Sequence, residues 1–194
     1  MKVKEIESRR SIRKFRPEPV PENLLRQVLE AARLAPSAKN DQPWRFLALG
    51  PESRERCLSA MERGIREGMA SGGNRAYLAG AAATLRIMKT APALVLIVRP
   101  VGTHPYGEIA GLDRVLELLD AVSVGAAVEN LLLEADALGL GTLWIGNTFL
   151  AYDAIAEAMA IDGQLLGAVA LGYPDEHPSP RPRKSFDEIA AFLP

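Results

Sequence analysis

The feature that most constrains the fold is the run Ala93-Leu94-Val95-Leu96-Ile97-Val98-Arg99, almost continuously apolar and rich in branched residues. Such a run suits a strand buried on both faces, since a half-exposed strand would alternate with polar residues. The segments around it read differently. Leu24, Leu25, Val28, Leu29 and Ala32 recur at helical spacing between Pro21 and Ala35, with Pro36 just beyond. Residues 52–68 carry a weaker helical pattern broken by Gly64 and Gly68, and a further helix is predicted over Arg75–Lys89. Strands are predicted at Trp44–Leu49, Thr142–Ile145 and 165–171, and helices at 3–9, near 150–160 and from Phe186. The longest helical stretch runs from about Asp113 to Leu138, with Asp120 as a point of interruption. Helices alternating with strands, with no linker and no internal repeat, indicate an α/β or α+β sandwich forming a single domain over residues 1–194.

Composition removes several classes of function. The 194 residues are 48% hydrophobic and 24% charged, as in a globular chain, and the formal net charge is −1. A basic site must therefore be local, and no nucleic-acid partner is expected. A single cysteine, Cys57, precludes an internal disulfide and reads as a structural thiol inside a helix. His104 and His177 each precede a proline and do not make a zinc pair. No uncharged apolar stretch approaches the ~18 residues of a membrane span. The opening Met1-Lys2-Val3-Lys4-Glu5 has no apolar core behind it, so a cytoplasmic protein is expected.

Charge is concentrated at Arg9-Arg10-Ser11-Ile12-Arg13, three arginines and a serine in five residues. Extended backbone puts Arg9, Ser11 and Arg13 on one face and Arg10 on the other. Guanidinium forks grip phosphate oxygens in pairs, and a serine hydroxyl can join them. A merely solvated basic arm explains the same residues. A second cluster, Arg181-Pro182-Arg183-Lys184, has a backbone stiffened by proline. Whether the two clusters meet is open at this level. Gly139-Leu140-Gly141-Thr142 lacks the third glycine of a dinucleotide fingerprint and precedes a strand instead of following one. On the long helix, Ala121, Gly125, Val128, Leu132 and Ala135 form a face of mostly small residues, suited to a core or to a subunit contact.

Arg9-Arg10-Ser11-Ile12-Arg13-Lys14-Phe15 resembles the opening signature of the nitroreductase family, and Ala35-Pro36-Ser37-Ala38-Lys39-Asn40-Asp41-Gln42-Pro43-Trp44-Arg45-Phe46 its second. Residues 123–131, Leu138–Gly146 and Leu171–Pro174 with Arg181 and Arg183 resemble later elements, in family order, while 52–112 has no clear match. The resemblance implies an α+β three-layer sandwich, a central mainly antiparallel sheet flanked by helices, in an intertwined homodimer. It implies FMN as cofactor, NADH or NADPH as electron donor, and nitroaromatics, quinones or related small molecules as acceptors in a ping-pong reaction. Carried over, Arg9, Arg10 and Ser11 meet the phosphate and ribityl chain, and Arg181 and Arg183 complete that site. Arg13 falls near flavin N1 and O2. Pro36, Ser37, Ala38 and Asn40 reach in from the partner subunit, and Ile145 and Gly146 present backbone to flavin N5. The flavin carries the chemistry, so no separate catalytic side chain is expected. Tyr77, Arg86, His104 and Tyr106 are candidate lining residues for the acceptor. The same fold also hosts reductive dehalogenation and flavin fragmentation, and a non-catalytic flavin carrier or sensor remains a different class.

Overall fold

In a computed structural model describing residues 3–193, the chain is helix-rich around one four-stranded sheet. The helices are α1 (Lys4–Ser8), α2 (Glu22–Arg33), α3 (Pro51–Ala70), α4 (Arg75–Thr90), α5 (Gly111–Ala137), α6 (Tyr152–Ala158) and α7 (Phe186–Ile189). The strands are β1 (Arg45–Ala48), β2 (Ala93–Arg99), β3 (Gly141–Ile145) and β4 (Gln164–Gly172), in the order β1-β2-β4-β3, with every neighbouring pair antiparallel.

Every residue of β2 is buried because its two faces serve two cores. Leu94, Leu96 and Val98 pack with Cys57, Leu58, Met61, Ile65, Leu85 and Met88 of α3 and α4. Ala93, Val95 and Ile97 pack with Val28 and Ala32 of α2 and Val124, Val128, Leu131 and Ala135 of α5. Helices therefore cover both sides, and the architecture is the α+β three-layer sandwich. The register shifts between Ile97 and Val98, which pair with Gly167 and Leu165, so β4 carries one extra residue, Leu166, and its alternation flips: Leu165 packs in the same core as Ala168 and Ala170. Gly167 follows the extra residue at φ +154°, where a Cβ would stand 2.8 Å from the Ile145 carbonyl oxygen, so only glycine fits.

One reading of the sequence needs correction, and another is refined. Helix α5 is continuous through Asp120, because that carboxylate is paired with Arg99 Nε at 2.7 Å instead of competing for its own backbone. Its small-residue face is divided: Val128, Leu132 and Ala135 are in the core, whereas Ala121 and Gly125 are exposed. The exposed N-terminal half of α5 also carries Leu112, Val115, Leu118, Leu119 and Val122, each at least 46% exposed.

The arm after α1 is stitched to the free edge of β3. The Ile12 N–H donates to the Thr142 carbonyl at 2.8 Å, Ser11 bridges Thr142 in parallel, and Phe15 bridges Pro174. Ile12 and Phe15 are buried beneath it. This closes an edge that would otherwise offer unpaired backbone to another chain.

Candidate cofactor site

The arm brings its arginines to one place. Helix α1 ends at Ser8, and Arg10 turns back so that Nη1 donates to the carbonyls of Glu7 (2.8 Å), Ser8 (3.0 Å) and Arg9 (2.8 Å). A cation at a helix C-terminus satisfies carbonyls that have no partner within the helix. Arg9 Nε lies 3.7 Å from Glu129 Oε1 of α5. Arg13 Nη1 donates to the Ser11 carbonyl at 3.2 Å. From the opposite side comes the proline-rich segment after β4. Arg183 Nη1 donates to its own neighbours' carbonyls, Arg181 at 3.3 Å and Pro182 at 3.5 Å, which holds its guanidinium against the segment's own backbone.

The two basic clusters converge on a single cavity of about 290 Å³, walled by Arg9, Arg10, Ser11 and Arg13 on one side and Pro178–Arg181 with Arg183 on the other. Five guanidinium groups face one carboxylate, Glu7, among the described lining residues. Such a concentration of like charge attracts an anion, and fork-shaped donors favour a phosphate.

The remaining predicted residues lie elsewhere in the protomer. Pro36, Ser37, Ala38 and Asn40 do not reach the arginine cavity. Their loop is bound to the middle of α5, where the Ala38 N–H donates to Ser123 Oγ at 3.3 Å, and Ser37 Oγ accepts from the Gln42 N–H at 2.9 Å. Lys39, Asn40 and Gln42 all adopt positive φ (53°, 59° and 48°), a strained conformation for residues with a side chain. Ile145 is buried at the end of β3, and Gly146 follows it facing open space.

Residues that sequence reasoning did not single out support this geometry. Asn147 Nδ2 donates to Thr84 Oγ1 at 2.8 Å, and Thr84 Oγ1 donates to the Gly80 carbonyl at 3.0 Å, tying the turn after β3 to the middle of α4. Glu176 Oε1 accepts from the N–H groups of Arg13 (2.5 Å) and Lys14 (3.2 Å). No local pattern marks either contact, since each joins residues far apart in the chain. Of the four residues suggested for acceptor binding, only His104 and Tyr106 come together, with ring centroids 5.5 Å apart. His104 Nε2 meets Asp153 Oδ1 at 2.8 Å, and the Tyr106 hydroxyl donates to the Phe149 carbonyl at 3.0 Å. Tyr77 and Arg86 are exposed on α4.

Burial pushes the Cys57 thiol up to about 11, so this residue is a core component with little thiolate to offer as a nucleophile. No group of three metal-ligating side chains occurs among the described residues. The fold and cavity thus define an α+β protein with a cationic pocket between its N-terminal arm and its C-terminal segment. The sequence profile of the Nitroreductase family matches residues 6–173, and the chain belongs to that family. A protein of Archaeoglobus fulgidus, provisionally named NADH dehydrogenase/NAD(P)H nitroreductase, is 30% identical over 179 residues, covering 90% of this chain and 86% of that one. A shorter match of 50 residues, 56% identical, joins 26% of this chain to 24% of a NADH dehydrogenase from Thermus thermophilus. The solved structure of a provisionally named nitroreductase from Desulfovibrio desulfuricans in complex with FMN superposes with a TM-score of 0.72 at 27% identity, covering 98% of this chain and 95% of that one.

Proposed function

We propose that this protein binds FMN in the arginine cavity and uses NADH or NADPH to reduce small acceptors such as nitroaromatics and quinones. The observation that carries the reading is the convergence of Arg9, Arg10 and Arg13 with Arg181 and Arg183 on one cavity of about 290 Å³. That space and those donors suit a phosphate with the start of its polyol chain, and Ser11 stands among the arginines to meet a hydroxyl.

Bound FMN supplies the hydride chemistry, which explains why the site needs few acid–base side chains. The chain's own work is to hold and orient it. Arg9, Arg181 and Arg183 neutralise the phosphate end. Arg13 lines the same cavity and would add a further cation beside the polyol chain. Ile145 and Gly146 offer backbone to the ring edge, and the open space over Gly146 leaves room for a flat group. Donor and acceptor take turns at the same exposed face, so the kinetics are ping-pong.

The partner is a second copy of this chain. The apolar side chains exposed along the first half of α5 form a surface that water does not favour. The strained Pro36–Asn40 loop lies against that same helix at Ser123, so pairing through α5 carries the loop toward the other protomer's ring site. Among the described residues no helix is long and apolar enough to cross a membrane.

The test is spectroscopic. The purified protein, supplied with FMN, should be yellow, and anaerobic NADH or NADPH should bleach it promptly, with an added nitroaromatic or quinone restoring the colour. A yellow protein that neither nicotinamide bleaches is a carrier, and a protein that takes up no FMN refutes the reading altogether.

A further inference from the structure

The two basic segments are held together by an acid that is absent from the described lining of their cavity. One oxygen of Glu176 accepts two consecutive backbone N–H groups, from Arg13 at 2.5 Å and Lys14 at 3.2 Å. Backbone bonds run beside it: the Arg16 N–H donates to the Tyr173 carbonyl, and the Asp175 N–H to the Lys14 carbonyl, both at 2.9 Å. Past Glu176 the chain continues through Pro178 and Pro180 to Arg181 and Arg183. Glu176 is therefore the tie nearest the cavity between the arm that carries Arg13 and the segment that carries the opposing arginines.

Its charge is the wrong sign for its place. A carboxylate next to a site for a doubly negative phosphate repels the ligand, and Coulomb attraction alone would favour its removal. A residue that opposes binding by charge yet joins both walls of the site acts through geometry. We propose that Glu176 is a positioning residue: by clamping Arg13 and Lys14 it fixes the two arginine segments at the separation one phosphate monoester requires. This rests on the FMN reading given above. It makes phosphate recognition, and not flavin binding in general, depend on Glu176.

The experiment compares FMN with riboflavin, which has the same ring and polyol but no phosphate. Dissociation constants are measured by quenching of flavin fluorescence for the wild type, Glu176→Gln and Glu176→Ala. The wild type should prefer FMN. Glu176→Ala removes both backbone bonds of the clamp and should weaken FMN about tenfold, while riboflavin changes by less than about twofold. Glu176→Gln keeps an acceptor oxygen and drops the repulsion, so it should bind FMN at least as well as the wild type. Should the alanine variant melt below the assay temperature, Glu176→Ser takes its place with the same expectation.

Tighter or unchanged FMN binding in Glu176→Ala overturns the proposal and leaves the cofactor reading standing. Equal weakening of both flavins overturns it too, because that is the mark of a general structural role. A wild-type protein with no preference for FMN over riboflavin removes the phosphate site itself, and the proposal with it.

Discussion

Arg10 lines the same cavity as Arg9 and Arg183, yet its Nη1 is committed to three carbonyls at the end of α1. The three arginines therefore differ in what their removal does. Arg9→Ala and Arg183→Ala should each weaken FMN binding by about 1.5–3 kcal/mol, the worth of a charge-assisted hydrogen bond, with the melting temperature nearly unchanged. Arg10→Ala should lower both affinity and melting temperature, since it also uncaps α1. Titration by fluorescence and a thermal melt separate the two patterns, and identical behaviour of all three variants would contradict the division. Cys57 supports a prediction in pH. Its folded-state value of about 11 lies above the ordinary 9.0, so the folded state holds the proton more tightly than the unfolded chain. The stability this contributes is whole below pH 9.0 and is lost as pH rises toward about 11. The loss amounts to about 2–3 kcal/mol at two pK units. Urea melts across that range should show a steeper fall for the wild type than for Cys57→Ala, and parallel curves would refute it.

Helix α3 shows what a sequence conceals. Gly64 and Gly68 made it read as weak, yet it runs unbroken for 20 residues. Gly64 is there because α3 crosses the turn before α6 so closely that a Cβ would stand 2.7 Å from the Ala151 Cβ. Helix propensity favours Gly64→Ala by roughly 1 kcal/mol, but overpacking costs about 1–3 kcal/mol and should win. A melting temperature at or above the wild type's would show that the helices can part freely. The buried strand β2, the amphipathic α2 and the arginine runs were all legible, because each announces itself within a few residues of chain. The positive φ angles of Lys39, Asn40 and Gln42 were not, since their neighbours' identities do not dictate them. Nor were the Glu176 clamp and the Asn147–Thr84 bond, which exist only once distant segments have packed. Asp120 misled for the same reason: its partner Arg99 lies on another element.

The first half of α5 leaves a row of apolar side chains exposed. Leu119→Arg and Val122→Glu put charge into that apolar stretch, so each should convert the proposed dimer to a monomer in analytical ultracentrifugation. If the partner's Pro36–Asn40 loop helps hold the ring, the same variants should release FMN. Dimeric variants would place the subunit contact elsewhere. A last consequence follows from the Glu176 clamp, whose two sides are 163 residues apart in the chain. On the ribosome, at about 5–20 residues per second, roughly ten to thirty seconds pass between the emergence of one side and the other. Throughout that interval the arginine arm is already outside with nothing to oppose it. On the proposed site, cofactor loading should be confined to the finished polypeptide, and a nascent chain halted before Glu176 should leave the ribosome colourless.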